Sequence, residues 1–442
     1  MTTRREILKL ATLAGAGRFG AMNAFAQGTD YKALVCVFLF GGCDANNMIV
    51  PQGSSEYDAY KRARGTIALP DNSATLLPVT AADGAAYGLS SGLRALHPLW
   101  DQGKLAAVAN VGMLAEPITR AQFQANSAAL PTNLFSHSDQ VIQMQTGTPS
   151  SSAATGWAGR VADQVTGLNA GVSFPASISL DGQQLFCRGN AVQSASLIPD
   201  FDMQPYGLDA WPASAAKARA QALQEVLAFD SGLTLVQAAN KVRQDALALS
   251  AMLKDLESGA KLAAAFPATP LGYQLRQVAR IMQLRGKTGL KRQVFFCSLP
   301  GFDTHGSQAW QHWNLLRQAA EAMTAFYRAT EEMGIAGQVT TFTESEFSRT
   351  LQPSGSGSDH GWGGHFLVLG GAVKGGHLFG QFPELALGGP DDSGSRGVWI
   401  PTTSLDQYGA TLGRWFGLDD AALASVFPNL SKFVAADLGV LG

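Results

Sequence analysis

Two hydrophobic patterns alternate along this chain. Continuous apolar stretches of strand length, typical of strands buried on both faces of a sheet, lie at 33–40, 293–299, 338–343 and 366–371, and 90–113 reads as a helix followed by a strand. Apolar residues recur at helical spacing in 213–263, 269–285, 309–333 and 404–416. The alternation predicts an α/β fold with a doubly wound, mostly parallel sheet and a helical layer or cap near 213–290.

The first 26 residues have the pattern of an export signal. Arg4 and Arg5 precede a weakly apolar stretch at 10–25, which ends in the small-x-small sequence Ala24-Phe25-Ala26. The stretch is shorter than the roughly 20 apolar residues that cross a bilayer. We therefore predict a twin-arginine signal peptide at 1–26, recognised by the Tat export machinery, and a single α/β domain at 27–442. The protein would be periplasmic or secreted, without a transmembrane anchor.

The distribution of charge excludes one class of partner. The chain has a net charge of −2, and loss of the signal, with four basic residues and one acidic residue, leaves −5. The rest of the sequence contains no basic run. Because phosphate neutralisation requires clustered Lys and Arg, we expect no nucleic-acid partner.

The four cysteines form no CxxC pair, so a zinc knuckle is not indicated. Cys36 and Cys297 lie within apolar stretches, where a cysteine usually packs as a small hydrophobic residue. Cys43 is either a packed loop residue or a reactive thiol. One disulfide after export is compatible with the sequence, which also includes Cys187, but the pairing is open.

Acidic and histidine side chains follow the predicted strands. Because ligands bind at the carboxyl ends of parallel strands, we expect these side chains to converge on one edge of the sheet. Crowded carboxylates repel unless a cation neutralises them, and mixed carboxylate and imidazole ligands suit zinc or manganese. We predict a site for one or two divalent ions, although each motif alone could be an ordinary turn. The candidate ligands are Asp44, Asp303, His305, Glu346, Asp359, His360 and His365.

Three further residues are candidates for the chemistry of a small anionic ester substrate. Ser136 could be a nucleophile at the start of a helix, or it could simply cap that helix together with Asp139. Arg349 and Lys374 could hold a phosphate or sulfate oxygen, or be surface charges.

At these motifs the chain resembles a bacterial family known as domain of unknown function 1501, over nearly all of 27–442. The resemblance is carried by Phe38-Leu39-Phe40-Gly41-Gly42 with Asp44 and Asn46-Asn47, Phe135-Ser136-His137, Gly156-Trp157-Ala158-Gly159-Arg160, Gly301-Phe302-Asp303-Thr304-His305, Ser345-Glu346-Phe347-Ser348-Arg349-Thr350, Asp359-His360-Gly361-Trp362-Gly363 with His365, Gly371-Ala372-Val373-Lys374-Gly375-Gly376 and Pro401-Thr402-Thr403-Ser404-Leu405-Asp406-Gln407-Tyr408.

That family looks like a branch of the alkaline-phosphatase and sulfatase superfamily. The resemblance implies a doubly wound sheet and one or two divalent metals. One metal would be surrounded by Asp44, the nucleophile, Asp359 and His360, and the other by Asp303, His305 and His365. Ser136 is the match for the nucleophile.

The chain departs from the family pattern at three loops. It has Cys43-Asp44-Ala45 where Asn-Asp-Gly is usual, Glu346 where Asp is usual, and Phe366 where a second histidine often follows. Two hypotheses therefore stand. The protein is an exported metal-dependent hydrolase of a phosphate or sulfate ester, or a non-catalytic member of the same fold that binds a cell-surface glycan or a protein.

Overall fold

A computed structural model describes residues 30–199, 208, 210–254 and 261–442, so the predicted signal peptide at 1–26 lies outside the described residues. Its strands are β1 (Lys32–Phe40), β2 (Ile49–Pro51), β3 (Leu76–Thr80), β4 (Ala86–Ser90), β5 (Leu105–Gly112), β6 (Ser177–Ser179), β7 (Ser194–Ser196), β8 (Arg292–Pro300), β9 (Val339–Glu344), β10 (Gly364–Gly370), β11 (Leu378–Phe379) and β12 (Thr403–Ser404).

The α-helices are α1 (Ser54–Arg64), α2 (His97–Asp101), α3 (Arg120–Gln124), α4 (His137–Thr146), α5 (Trp157–Gln164), α6 (Ala213–Ala228), α7 (Thr234–Lys254), α8 (Pro270–Gln283), α9 (Arg285–Thr288), α10 (Gln308–Glu332), α11 (Leu405–Phe416) and α12 (Asp420–Val426).

The main sheet contains nine strands in the order β11-β5-β10-β9-β1-β8-β6-β7, with β12 paired to β5. The central strand β1 pairs in parallel with β8 on one side and β9 on the other. Strand β10 is antiparallel to both of its neighbours, β9 and β5. The fold is therefore a mixed α/β fold with a mostly parallel central sheet, as the hydrophobic pattern predicts at this coarse level.

Apolar side chains leave β1 on both faces because successive residues of a strand point in opposite directions. Val35 and Val37 pack into the core that α8 and α10 cover. Leu34, Cys36 and Phe38 pack into a second core, covered by α5 and α11. Burial on both sides explains why the strand reads as one uninterrupted apolar run.

The predicted helical layer at 213–290 has two different parts. Helix α8 lies against the sheet, where the Gln274 side chain bonds both backbone groups of Ser298 in β8. Helices α6 and α7 are largely exposed, and α7 reaches the core through Leu249 and Leu253 near its end. Only the last part of this layer is therefore integral to the sheet packing.

A small antiparallel sheet, β2-β4-β3, was not predicted from the hydrophobic pattern. Its strands are short and include Pro51, Pro78 and Gly88, which weaken any period-2 signal. Helix α1 follows β2 and ends with Arg64, which is fully buried beneath the edge of the main sheet. Helix α1 thus brings the positive charge of Arg64 next to Asp44.

All four cysteines are buried and free in the structure. No disulfide is formed among them, and the Cys43 Sγ lies 3.7 Å from Nε2 of buried His312. Burial raises the pKa of the Cys43 thiol well above its usual range, which favours packing over reactivity. In the described part of the chain, no helix is both long enough and apolar enough to cross a membrane.

Candidate metal centre

Loops that follow β1, β8 and β9 meet at the carboxyl edge of the parallel strands. Asp303 and His305 follow β8, and Glu346 and Arg349 follow β9. His360 precedes β10, and its loop reaches the same edge because β10 runs antiparallel to its neighbours. In a parallel β10 the segment before the strand would lie at the opposite edge, so the direction of this strand positions His360.

Four ligand atoms converge in this region: Nε2 of His137, His305 and His360, and Oδ1 of Asp303. The His360 Nε2 lies 3.1 Å from that of His137 and 3.2 Å from that of His305. Asp303 Oδ1 lies 2.9 Å from His305 Nε2, 3.4 Å from His137 Nε2 and 3.5 Å from His360 Nε2. Ligands about 2.0–2.1 Å from a tetrahedral zinc ion stand about 3.3 Å apart, so the separations among His137, Asp303 and His360 fit such an ion. His305 Nε2 lies close to two of these three atoms, those of Asp303 and His360.

Hydrogen bonds fix which nitrogen of each ring faces the cluster. His360 Nδ1 donates to the carbonyl oxygen of Phe135 at 2.7 Å, because a carbonyl only accepts. His137 Nδ1 donates to Glu346 Oε1 at 2.8 Å. The two Nε2 atoms therefore face each other across 3.1 Å, where either a proton on one ring or a shared cation can bridge them. Oxygen partners on the distal nitrogen are also the usual support of metal-bound histidines.

The backbone just before α4 adopts a strained turn that positions two of the histidines. Phe135 has a φ of 71°, a left-handed conformation that is costly for a residue with a side chain. Its N–H donates to Gln140 Oε1 at 2.6 Å while its carbonyl accepts from His360. His137 is the first residue of α4, two positions later. The strained turn thus places one ligand and orients another.

Neighbouring arginines keep Asp303 and Asp359 ionised. Partial burial raises the pKa of Asp303, but the hydrogen bond and charge of Arg349 outweigh it and hold the pKa below its usual value. Arg349 is fully buried and donates to Asp303 Oδ1 at 2.7 Å. The pKa of Asp359 is lowered in the same way, with burial opposed by Arg396, which lies 2.6 Å from Oδ2. Asp303 is therefore available as an anionic ligand near neutral pH.

The two histidines with fixed tautomers have pKa values shifted in opposite directions. The hydrogen bond that His137 donates to Glu346 is the main cause that raises the pKa of His137. Burial is the main cause that lowers the pKa of His360. Glu346 itself is buried and also accepts from the Gly41 N–H at 2.8 Å. Its carboxylate contacts the Nδ1 side of the His137 ring, away from the cluster.

Besides Glu346, three more predicted ligands lie outside the cluster. Asp44 is fully buried and forms an ion pair with Arg64. Asp359 faces His305 Nδ1 at 3.5 Å, so it neighbours the cluster through that ring. His365 is buried, its Nδ1 accepts from the Asn110 N–H at 3.1 Å, and burial lowers its pKa to about 3.

The placement of Lys374 is corrected by the structure. This exposed lysine follows β10, whose last residue, Gly370, pairs with Thr340 at the start of β9. It therefore lies at the amino edge of the parallel strands, opposite the cluster. The sequence could not show this, because it does not specify the direction of β10.

Ser136 immediately precedes His137, and its hydroxyl donates to Asp139 Oδ2 at 2.7 Å. It does not cap the backbone of α4 through its side chain. Hydrogen bonds from Ser136, Ser151 and Asn133 lower the pKa of Asp139 to about 2. Asp139 can therefore orient the serine hydroxyl but is too weak a base to take its proton near neutral pH.

Sequence reasoning missed His137. Among the described residues, His137, Asp303 and His360 form a group whose ligand atoms all lie within 4.8 Å of one another. His137 begins a helix in a region without a strong strand signal, so no sheet edge pointed to it. The only available clue was its position beside Ser136.

Comparison with known families gives one match. A family model described as protein of unknown function (DUF1501) matches residues 31–395, a range that contains every residue of the cluster. No curated protein matches the chain.

Proposed function

The chain belongs to the family described as protein of unknown function (DUF1501), and we propose that it is an exported metal-dependent hydrolase of a phosphate or sulfate ester. The observation that carries the proposal is the convergence of Nε2 of His137, Nε2 of His360 and Oδ1 of Asp303 at 3.1–3.5 Å, with His305 Nε2 beside the last two. Their side chains are between a quarter and a half exposed, so a substrate has access to them.

Nε2 of His137 and His360, with Oδ1 of Asp303, would hold the ion. His305 Nε2, which lies 2.9 Å from Asp303 Oδ1 and 3.2 Å from His360 Nε2, is the candidate for a fourth ligand. A set rich in imidazole favours zinc, with manganese as the alternative, over magnesium or calcium. When bound, such an ion supplies Lewis-acid stabilisation of an ester oxygen and makes water acidic enough to attack near neutral pH.

One ion fits the described residues better than two. A second site would need Asp44 or Asp359, and each already has a guanidinium partner, Arg64 or Arg396. His365 would have to give up its bond to Asn110. Arginine side chains thus already neutralise the carboxylates that a second cation would bind. In this respect the proposal differs from the two-metal pattern of the alkaline-phosphatase and sulfatase superfamily.

Two arginines beside the cluster support an anionic substrate. The Arg396 side chain is 42% exposed and pairs with Asp359, which in turn faces His305. Arg349 is buried behind Asp303 and acts by positioning that carboxylate. Ser136, which immediately precedes His137, remains the candidate nucleophile. Attack by water is the alternative, because Asp139 orients the serine hydroxyl without activating it.

A second candidate function is binding without catalysis. The ion pairs at Asp44 and Asp359 favour it, since they neutralise carboxylates that a two-metal enzyme would use. The ligand would then be a cell-surface glycan or a protein held at the same edge of the sheet.

Metal analysis separates the outcomes. Full-length protein purified after expression with zinc and manganese should contain about one equivalent of one of these ions. His137→Ala and Asp303→Asn should contain less than a tenth of an equivalent, and the control His97→Ala, a histidine on α2, should match the wild type. Less than a tenth of an equivalent in the wild type contradicts the hydrolase proposal.

Activity towards aryl phosphates and sulfates is then measured for the loaded protein. Turnover that is lost in Asp303→Asn supports the hydrolase. A loaded wild type that turns over no member of the panel shifts the assignment to the binding function. Retention of turnover in Ser136→Ala would identify water as the nucleophile.

A further inference from the structure

A groove beside the candidate metal centre is lined by two tryptophans of α10. Trp310 is 67% exposed and Trp313 is 36% exposed, although large apolar side chains are usually more buried. They stand three residues apart, and therefore on the same side of the helix. The facing wall consists of residues 66–70 with Thr75, Ser91 and Arg94, and the groove has a volume of about 450 Å³. This volume lies within the range of small-ligand sites, about 300–1,000 Å³.

We propose that this groove is a subsite for a sugar ring of an anionic glycan, and that the ester substrate of the neighbouring centre is a sulfated or phosphorylated saccharide. The inference rests on the proposed hydrolase function for its substrate and on the groove itself for the sugar. A pyranose ring has an apolar face that packs on an indole and hydroxyls around its rim that need polar partners.

Trp313 is held in place before any ligand arrives. Trp313 Nε1 donates to Ser91 Oγ at 3.1 Å, and the guanidinium of Arg317 lies 5.9 Å from its ring centroid. A ring fixed by a hydrogen bond loses little conformational freedom on binding. The groove therefore presents a preorganised aromatic wall.

The charge of the groove complements an anion. Arg94 lines it and donates to the Ser73 carbonyl at 3.4 Å, and none of the described lining residues is acidic. The polar groups along the wall are hydroxyls and this guanidinium. Such a lining suits a ligand that bears hydroxyl and anionic groups better than the apolar face of a partner helix.

The chain links the groove closely to the metal centre. Trp310 follows His305 by five residues, so their Cα atoms lie at most about 19 Å apart. The first turn of α10 also contacts the loop that leads to Asp359 and His360, through bonds of 3.0 Å from the N–H groups of Ser307 and Gln308 to Ser356. A short oligosaccharide can therefore occupy the groove while its ester group reaches the cluster.

Calorimetry with cellotetraose and sulfated cellotetraose tests the subsite. The full chain is stripped with a chelator, so that neither metal nor turnover contributes. Wild-type protein should bind the sulfated sugar more tightly than the neutral one. Trp310→Ala and Trp313→Ala should each weaken both by about tenfold, and Arg94→Met should remove the preference for sulfate.

The control is Trp211→Ala, which removes a tryptophan that is 91% exposed before α6 and should bind like the wild type. Thermal unfolding of each variant checks that it is folded. Unchanged affinity in both folded groove variants, or no binding of either sugar by the wild type, overturns the subsite. These results do not depend on metal content, so failure here is distinct from failure of the hydrolase proposal.

Discussion

His137 and His360 bring their Nε2 atoms within 3.1 Å of each other. The arrangement is set by two acceptors, Glu346 and the Phe135 carbonyl, which take the protons on the opposite sides of the rings. Without a cation, a proton on one Nε2 bridges the pair, and a bound cation would take its place. The supporting acceptors therefore matter to metal affinity as much as the rings do.

Glu346→Gln tests the support of His137. An amide keeps an acceptor oxygen but removes the charge that raises the pKa of the imidazole and increases its basicity. We expect zinc affinity, measured by competition with a chromophoric chelator, to fall by about 10- to 100-fold. Glu384→Gln, at a surface glutamate, is the control. Unchanged affinity in Glu346→Gln would show that the carboxylate has no part in metal binding.

Asp406 gives a pH prediction at the residue scale. It is fully buried in the first turn of α11, and burial raises its pKa to about 7. The folded protein therefore holds this proton more tightly than the unfolded chain. Its contribution to stability is complete below pH 4 and is lost as the pH rises towards 7, by about 1.4 kcal/mol per unit.

Asp406→Asn removes this titration while keeping an acceptor for the Asn429 N–H. Urea unfolding at pH 5, 6, 7 and 8 should show a smaller decline in unfolding free energy for the variant than for the wild type. The control is Asp101→Asn, at an exposed residue. Parallel curves for wild type and Asp406→Asn would contradict the raised pKa.

At the scale of elements, the apolar runs that become β1, β8, β9 and β10 are correctly predicted, and so are α8, α10 and α11. Strand direction is not, since an apolar run reads the same in either orientation. The sequence therefore brought Asp303, His305 and His360 to one edge but misplaced Lys374. It also could not pair Asp44 with Arg64, because that arginine comes from a separate excursion, α1, 20 residues away.

The turn at residues 354–358 offers a test of how elements support the centre. A Cβ on Gly357 would collide with the carbonyl groups of Thr304 and His305, which belong to the loop after β8. Gly357→Ala should therefore displace His305, lower stability by about 1–3 kcal/mol and weaken metal binding. Gly394→Ala is the matched control, because a Cβ there meets nothing within 4 Å. Urea unfolding and metal competition measure both effects, and equal behaviour of the two variants would contradict this role.

At the scale of the whole molecule, the sheet collects strands from Lys32 to Ser404, so residues far apart in the chain meet at one edge. His137 and His360 are more than 200 residues apart. No local motif encodes a contact between residues so far apart, so the sequence did not indicate His137 as a metal ligand. A centre assembled from so many segments forms only when the fold is complete, which agrees with the expectation that the protein is exported after folding.

Replacing Arg4 and Arg5 together by lysine tests that expectation. Twin-arginine export depends on the arginine pair, so the variant should accumulate in the cytoplasm with its signal uncleaved. Cell fractionation with detection of the mature form provides the measurement, and Lys9→Ala should be exported normally. Export of the double variant through the same route at the wild-type level would rule out a twin-arginine signal.

The reversed direction of β10 has a consequence for how this scaffold can diversify. Because β9 and β10 are antiparallel neighbours, the chain between them leaves and re-enters the sheet at one edge, without a crossover. Residues 345–363 are thus a single loop excursion outside the sheet, which contains Glu346, Arg349, Asp359 and His360. Lengthening or exchanging that excursion would alter the specificity of the centre while leaving the order of the strands untouched.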